Sequence, residues 1–136
     1  MSRRRLDWAE LRSAEFTGLD PERTIAVLPT AAIEQHGPDL PVGTDTRIAQ
    51  GMLAHFRAVC PEDLHPLILP VQAVGKSNEH LYAPGTLTLS AEVALRAWVE
   101  IGLSVARAGL RKSVTVNSHG SNHALSALPA RDVRGQ

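Results

Sequence analysis

Apolar and polar positions alternate along this chain between two kinds of segment. Three short runs, Thr24 to Pro29 (Thr-Ile-Ala-Val-Leu-Pro), Leu64 to Val71 and Ser113 to Asn117 (Ser-Val-Thr-Val-Asn), are β-branched or Leu-rich. Each ends in turn-forming residues, which predicts buried strands. Between them apolar residues recur at helical spacing: Ile48, Met52, Phe56 and Val59 within Thr46 to Val59, then Leu95, Trp98, Ile101 and Val105 within Ala91 to Ala108. That spacing predicts two amphipathic helices. Ser90 is placed to cap the second, with Glu92 in its first turn and Gly109 as its stop. An opening helix near Asp7 to Phe16 and a short final helix from Asn122 complete the series.

Strands alternating with helices predict an α/β fold, a three-layer α/β/α arrangement around a mainly parallel sheet. The sequence has no internal repeat, low-complexity tract or linker, so residues 1–136 read as one domain. In such sheets every strand-to-helix loop emerges at the carboxyl edge, where ligands bind. Glu34, His36 and Asp45 follow the first strand, Gly75 to His80 the second, and His119 the third. Three distant loops therefore converge on one rim.

The composition narrows the partners. Of 136 residues 43% are hydrophobic, enough for a core. Fourteen basic residues balance fourteen acidic ones, which leaves no long-range field to gather nucleic acid or an anionic membrane. The single cysteine, Cys60, has no internal disulfide partner and reads as a small packing group. Arg3 to Arg5 are followed by Asp7, Glu10, Arg12 and Glu15 where an export signal needs an apolar stretch. No run reaches membrane-spanning length, and the expectation is a cytoplasmic protein.

The loop Ala31-Ala32-Ile33-Glu34-Gln35-His36-Gly37-Pro38-Asp39-Leu40-Pro41-Val42-Gly43-Thr44-Asp45 crowds an imidazole between two carboxylates. These are the donors that hold zinc, manganese or iron near neutral pH, and one carboxylate can bridge two such ions. A plain alternative exists for Asp45, which caps the following helix equally well in an isolated loop. His119, in Asn117-Ser118-His119-Gly120-Ser121-Asn122, taken alone reads as a turn histidine bonded to backbone. His55 and His65 read as partly buried packing residues, His123 as a helix-start residue, and Arg131 to Arg134 as solvated charges. Neither Ser118 nor Ser121 lies in a Gly-x-Ser-x-Gly elbow, and no Gly-rich phosphate loop appears.

Taken together, the Glu-x-His-Gly-Pro-x-Leu-Pro-x-Gly-x-Asp loop and the Asn-x-His-Gly-x-Asn loop resemble those of the creatininase (creatinine amidohydrolase) family. Gly75-Lys76-Ser77-Asn78-Glu79-His80 and the later Pro84-Gly85-Thr86 are also similar to the family. The resemblance implies a creatininase-like fold and two ions, one held by Glu34, Asp45 and His119, the other by His36 with Asp45 as the bridge. It implies that Ser77 contacts substrate. Glu79 and His80 either orient the ion-holding groups or tie down their own loop.

By the same resemblance the cofactor is a divalent metal, zinc or manganese, with iron also compatible. The substrate is a small or cyclic amide whose C–N bond is hydrolysed by metal-activated water, and no catalytic acid or base is identifiable. The assembly is a homo-oligomer, a hexamer in the family. Family members are about twice as long, and the position where creatininase supplies a Glu to its second ion is Ser121 here. One occupied site is therefore expected over two. A sheet ending at the third strand leaves an edge for association to cover. The alternative to a metal-dependent amidohydrolase is a truncated, non-catalytic metal-binding fragment of one; a metal-free small-molecule binder is a weaker third.

Overall fold

The structure, a computed structural model, describes residues 4–126. Strands β1 (Thr24–Thr30), β2 (His65–Ile68) and β3 (Lys112–Asn117) form one parallel sheet in the order β2-β1-β3. Helix α1 (Thr44–Val59) connects β1 to β2, and α2 (Ala91–Arg107) connects β2 to β3. Strand side chains alternate between faces. Ala26, Leu28, Leu67 and Leu69 pack against Ala94, Trp98 and Val105 of α2, whereas Val27 and Ile68 pack with Leu53 of α1 and with Leu6. One helix therefore lies on each face, the three-layer α/β/α arrangement expected from the sequence.

With β1 central, chain direction across the sheet reverses between β1 and β3. Loops leaving the carboxyl ends of those two strands part to opposite faces and open a crevice, the usual ligand position in parallel sheets. The candidate residues sit there. Pro29 stands near the end of the central strand, where a missing N–H would normally break the ladder. Its carbonyl and that of Val27 face the β2 side, accepting from Gln72 and Leu69 at 2.9 Å each. Pro29's nitrogen faces the same edge, between these two bonds, and pairing resumes beyond it at the Thr30–Gln72 bridge.

Several elements differ from the sequence expectation. In place of a helix over Asp7 to Phe16 there are two 3-10 segments, Trp8–Glu10 and Ser13–Gly18, joined at Leu11 and Arg12, whose extended backbone interrupts any longer helix. The second strand is shorter than Leu64 to Val71, ending at Ile68 just before Pro70. Its outer side is partly occupied, since Ile68 N–H donates to the Leu6 carbonyl at 2.7 Å.

Helix α1 begins at Thr44 and buries Asp45, Ala49 and Leu53 instead of the stripe Ile48, Met52, Phe56 and Val59. Ile48, Met52 and Val59 are exposed, and the ring of Phe56 packs at the rim of the Leu53 cluster. Met52, Leu53 and Phe56 instead line an apolar groove with Ile25, Val27, Leu64, Pro66, Val114 and Val116. No described strand pairs with the outer edge of β3, where Val114 is half exposed.

Helix α2 follows the reading more closely. Ser90 Oγ accepts from Val93 N–H at 3.2 Å, and Gly109 takes φ +89° just past the helix, a conformation glycine adopts without strain. The last expected helix appears as a 3-10 turn, Gly120–Asn122, running into a single helical turn, α3 (His123–Ser126). His55 is exposed, whereas His65 is half-buried as expected. Arg131 to Arg134 lie outside the described residues. No described helix is long and apolar enough to cross a membrane.

Candidate metal centre

Beyond β1 the chain runs through Ala31 and Ala32, both fully buried, to Glu34. Glu34 N–H donates to Val42 carbonyl at 2.9 Å, closing the loop on itself, and Gly37 turns it at φ +71°. The loop ends in the first turn of α1. Gly43 holds the N-cap position there and no side chain caps it, so Asp45 is not the cap. The helix N-terminus still favours its negative charge. Beyond β3, Asn117 brackets His119 by donating from Nδ2 to the His119 carbonyl at 2.6 Å while its Oδ1 accepts His119 N–H at 3.2 Å.

Glu34, Asp45 and His119 are 7%, 7% and 6% exposed, and they meet. His119 Nδ1 lies 2.9 Å from Asp45 Oδ2 and 3.2 Å from Glu34 Oε1. On its other side Nε2 lies 2.9 Å from the Lys76 carbonyl, which can only accept, so Nε2 carries the proton. In the neutral ring the Nδ1 lone pair then faces two carboxylate oxygens with no proton between them. Three converging acceptors in a buried space repel one another unless a cation lies among them. One imidazole nitrogen and two carboxylate oxygens, all within 4.8 Å of one another, form a donor set suited to a divalent ion.

His36 adjoins this trio. Its Nδ1 donates to the Glu34 carbonyl at 3.1 Å, which leaves Nε2 facing Asp45 Oδ1 at 3.2 Å. Asp45 thus turns one oxygen to each imidazole. The bond to the Glu34 carbonyl raises the His36 pKa above its ordinary value against the effect of burial, and the Asp45 charge adds to the rise.

The third loop is bolted to the other two. Asn122, fully buried, donates from Nδ2 to the Ala31 carbonyl at 2.9 Å and accepts at Oδ1 from Lys76 N–H at 3.0 Å. Gly75 leaves room for this, since a Cβ there would lie 2.4 Å from the Ala31 carbonyl oxygen. Ser77 is fully buried, with its hydroxyl 3.3 Å from His119 Nε2 and its N–H donating to Thr88 Oγ1 at 2.7 Å. Glu79 accepts from the Ser121 hydroxyl and pairs with Lys76 Nζ at 3.3 Å. Burial works to raise the Glu79 carboxyl, but its own backbone N–H and Lys76 hold it below the usual range. His80 Nε2 stands 3.7 Å from Glu34 Oε2.

All seven residues singled out in the sequence therefore gather at one end of the sheet. Three further participants were not singled out in it. Gln35 binds His80, Asn122 ties the loops together, and the Lys76 carbonyl, a group any residue supplies, sets the His119 tautomer. Gln35 and Asn122 lie inside the two motifs, and that position is the only hint of them the sequence holds.

A family model described as "Creatininase: Creatinine amidohydrolase" matches residues 9–136. The chain is 39% identical over 119 residues to a mycofactocin precursor peptide peptidase of Mycobacterium tuberculosis, covering 83% of this chain and 47% of that protein. It spans about half the length of the curated relatives it matches. Among solved structures, a mutant creatininase described as Zn-Zn type superposes with TM-score 0.75 at 23% identity, covering 97% of this chain and 54% of that one. A structure described as "Creatininase Mn" gives TM-score 0.70 at 21% identity, again with 97% and 54% covered. At such identities these two likenesses carry the fold.

Proposed function

The chain belongs to the creatininase family, and from that premise we propose that it acts as a metal-dependent hydrolase of amide C–N bonds, with Glu34, His36, Asp45 and His119 holding the metal. The observation that carries this reading is the His119 ring. Its Nε2–H is spent on the Lys76 carbonyl, and Nδ1 faces two buried carboxylates. A divalent ion held there, zinc or manganese, supplies an acidified water and polarises the amide carbonyl.

The chain's own residues do the rest. Glu34, Asp45 and His119 offer three donors, and their burial keeps bulk water from competing. Asp45 Oδ1 and His36 offer an adjoining ion only two, so a single ion at the first position is the favoured occupancy. Ser77 is proposed, on the family resemblance, to contact substrate; its burial against His119 supports a second role in holding that ring. Glu79 anchors the loop through Ser121 and Lys76.

Two amide classes fit this chemistry. A small cyclic amide suits the family's description, whereas the 39% identity to a mycobacterial peptidase favours a peptide amide. A cytoplasmic location and a homo-oligomeric assembly covering the β3 edge belong to the same proposal. The test is purified chain loaded with Zn²⁺ or Mn²⁺ and offered both classes. Turnover that a chelator abolishes and added metal restores is expected. Tight metal binding with no turnover on either class would overturn the hydrolase and leave a non-catalytic metal-binding fragment.

A further inference from the structure

Glu34 spends only one oxygen on the His119 side. Its other oxygen, Oε2, is buried without a hydrogen-bond partner, although the side chain is only 9% exposed. A buried carboxylate oxygen left bare costs free energy, so the group facing it matters. That group is His80, whose Nε2 lies 3.7 Å away. Glu34, Glu79 and His80 bring donor atoms within 4.8 Å of one another, which on distances alone resembles a second cation site. The protons argue otherwise.

Gln35 Oε1 accepts Gly37 N–H at 2.9 Å, which orients the amide and turns its NH2 toward His80 Nδ1 at 3.2 Å. The exposed Tyr82 hydroxyl, 3.5 Å from the same Nδ1, is also free to donate to it. An Nδ1 that accepts places the single proton of a neutral ring on Nε2. His80 therefore presents an N–H to Glu34, not a lone pair to an ion.

We propose that Gln35 is a positioning residue of the centre: bonded to Gly37 and His80, it fixes the His80 tautomer whose Nε2–H faces the free oxygen of Glu34. An N–H directed at Oε2 from 3.7 Å leaves Oε1 as the oxygen that faces the ion position, which favours Glu34 binding through one oxygen. A carboxylate binding through both would take up a position that catalytic sites leave open for water or substrate. The inference rests on the proposed metal-centre reading only for this last consequence, because the tautomer is a property of the metal-free chain.

The experiment is long-range 15N–1H correlation of the histidine rings in the full, metal-free chain above pH about 8, where a free imidazole is neutral. Wild type is expected to show His80 protonated at Nε2. Gln35→Glu, which turns the facing group into an acceptor, should move the proton to Nδ1, and Gln35→Leu should give a mixture. His80 protonated at Nδ1 in wild type, or a tautomer unchanged in Gln35→Glu, overturns the proposal. A second readout separates positioning from mere structure. Zn²⁺ titration of Gln35→Leu should leave affinity within about threefold of wild type while kcat on any amide turned over falls at least about tenfold. An equal loss in metal affinity makes Gln35 structural and overturns the proposal. Failure of Asp45→Asn to release metal would instead strike the metal-centre reading and leave the tautomer result standing.

Discussion

His119 Nδ1 and Asp45 Oδ2 stand 2.9 Å apart, although one residue follows β3 and the other opens α1. Fold alone brings them together. The β2-β1-β3 order makes β1 and β3 neighbours, and their loops part to opposite faces at the carboxyl edge. Asp45→Asn keeps the shape and removes the charge. Metal affinity, read by titration with Zn²⁺ or Mn²⁺, should fall by more than about a hundredfold, since loss even of an outer partner costs about 10- to 100-fold. The metal-free variant should melt no lower than wild type, because one of two neighbouring buried carboxylates has been neutralised. Full metal retention would remove Asp45 from the centre.

Gly75→Ala tests how closely the loops are joined. The added Cβ would meet the Ala31 carbonyl oxygen at 2.4 Å and both terminal atoms of Asn122 at 2.6 and 2.8 Å. None of these can retreat freely, since Ala31 and Asn122 are fully buried. Overpacking of this kind costs about 1–3 kcal/mol, to be read from the urea midpoint. Lys76 is the next residue, so the displaced loop should also weaken the His119 bond and with it metal affinity. A midpoint equal to that of wild type would mean that the loop has slack the geometry does not show.

The contrast between α1 and the site loops shows what was legible in the sequence. Glu34, His36, Asp45 and His119 lie in compact motifs with distinctive donors, and parallel-sheet logic alone sends their loops to one rim. The face of α1 is not the one its apolar stripe predicts, because Ile48 and Met52 are apolar and yet exposed, while two of its three buried positions, Asp45 and Ala49, are polar or small and only Leu53 is a large apolar residue. Helical periodicity locates an apolar stripe, but α1 must turn Asp45 toward the strand ends, and that places Ile48 and Met52 on its flank. The tautomers of His119 and His80 depend on a backbone carbonyl and on the orientation of one amide, which leave no trace in residue identity.

Acid sensitivity should appear far from the site, at Glu15. The hydrogen bond from Arg5, together with those from Arg12 N–H at 2.8 Å and Arg12 Nε at 3.0 Å, holds its carboxyl well below the ordinary 4.5. A folded-state pKa depressed in this way stabilises the fold fully above the unfolded value, and that contribution fades as pH falls below about 4.5 toward the folded value. Wild type should therefore melt above Glu15→Gln at pH 7, and the gap should narrow as the buffer is taken below pH 4.5. A gap that stays constant across that range would show that the carboxylate charge contributes nothing there.

Asn122→Ala should couple stability to metal binding. Asn122 donates from Nδ2 to the Ala31 carbonyl at 2.9 Å and to Asn117 Oδ1 at 3.2 Å, and its Oδ1 accepts Lys76 N–H at 3.0 Å. One side chain thus joins the loops after β1, β2 and β3. Truncation removes the partners of the Ala31 carbonyl and the Lys76 N–H, whereas Asn117 Oδ1 keeps its bonds from Thr30 and His119, and each unsatisfied partner costs about 1–3 kcal/mol. Denaturant unfolding should register a loss of at least that size. The Lys76 peptide, once released, should no longer hold the His119 ring, so metal affinity should fall although Asn122 is not itself a proposed ligand. Asn122→Asp keeps the acceptor for Lys76 N–H but loses the two donations, and it adds a carboxylate beside the Ala31 carbonyl. It should therefore be at least as unstable as the alanine variant. If both variants unfold earlier yet bind metal with wild-type affinity, the ring must be held by Ser77 and the two acids alone, and the Lys76 carbonyl has been given too large a part.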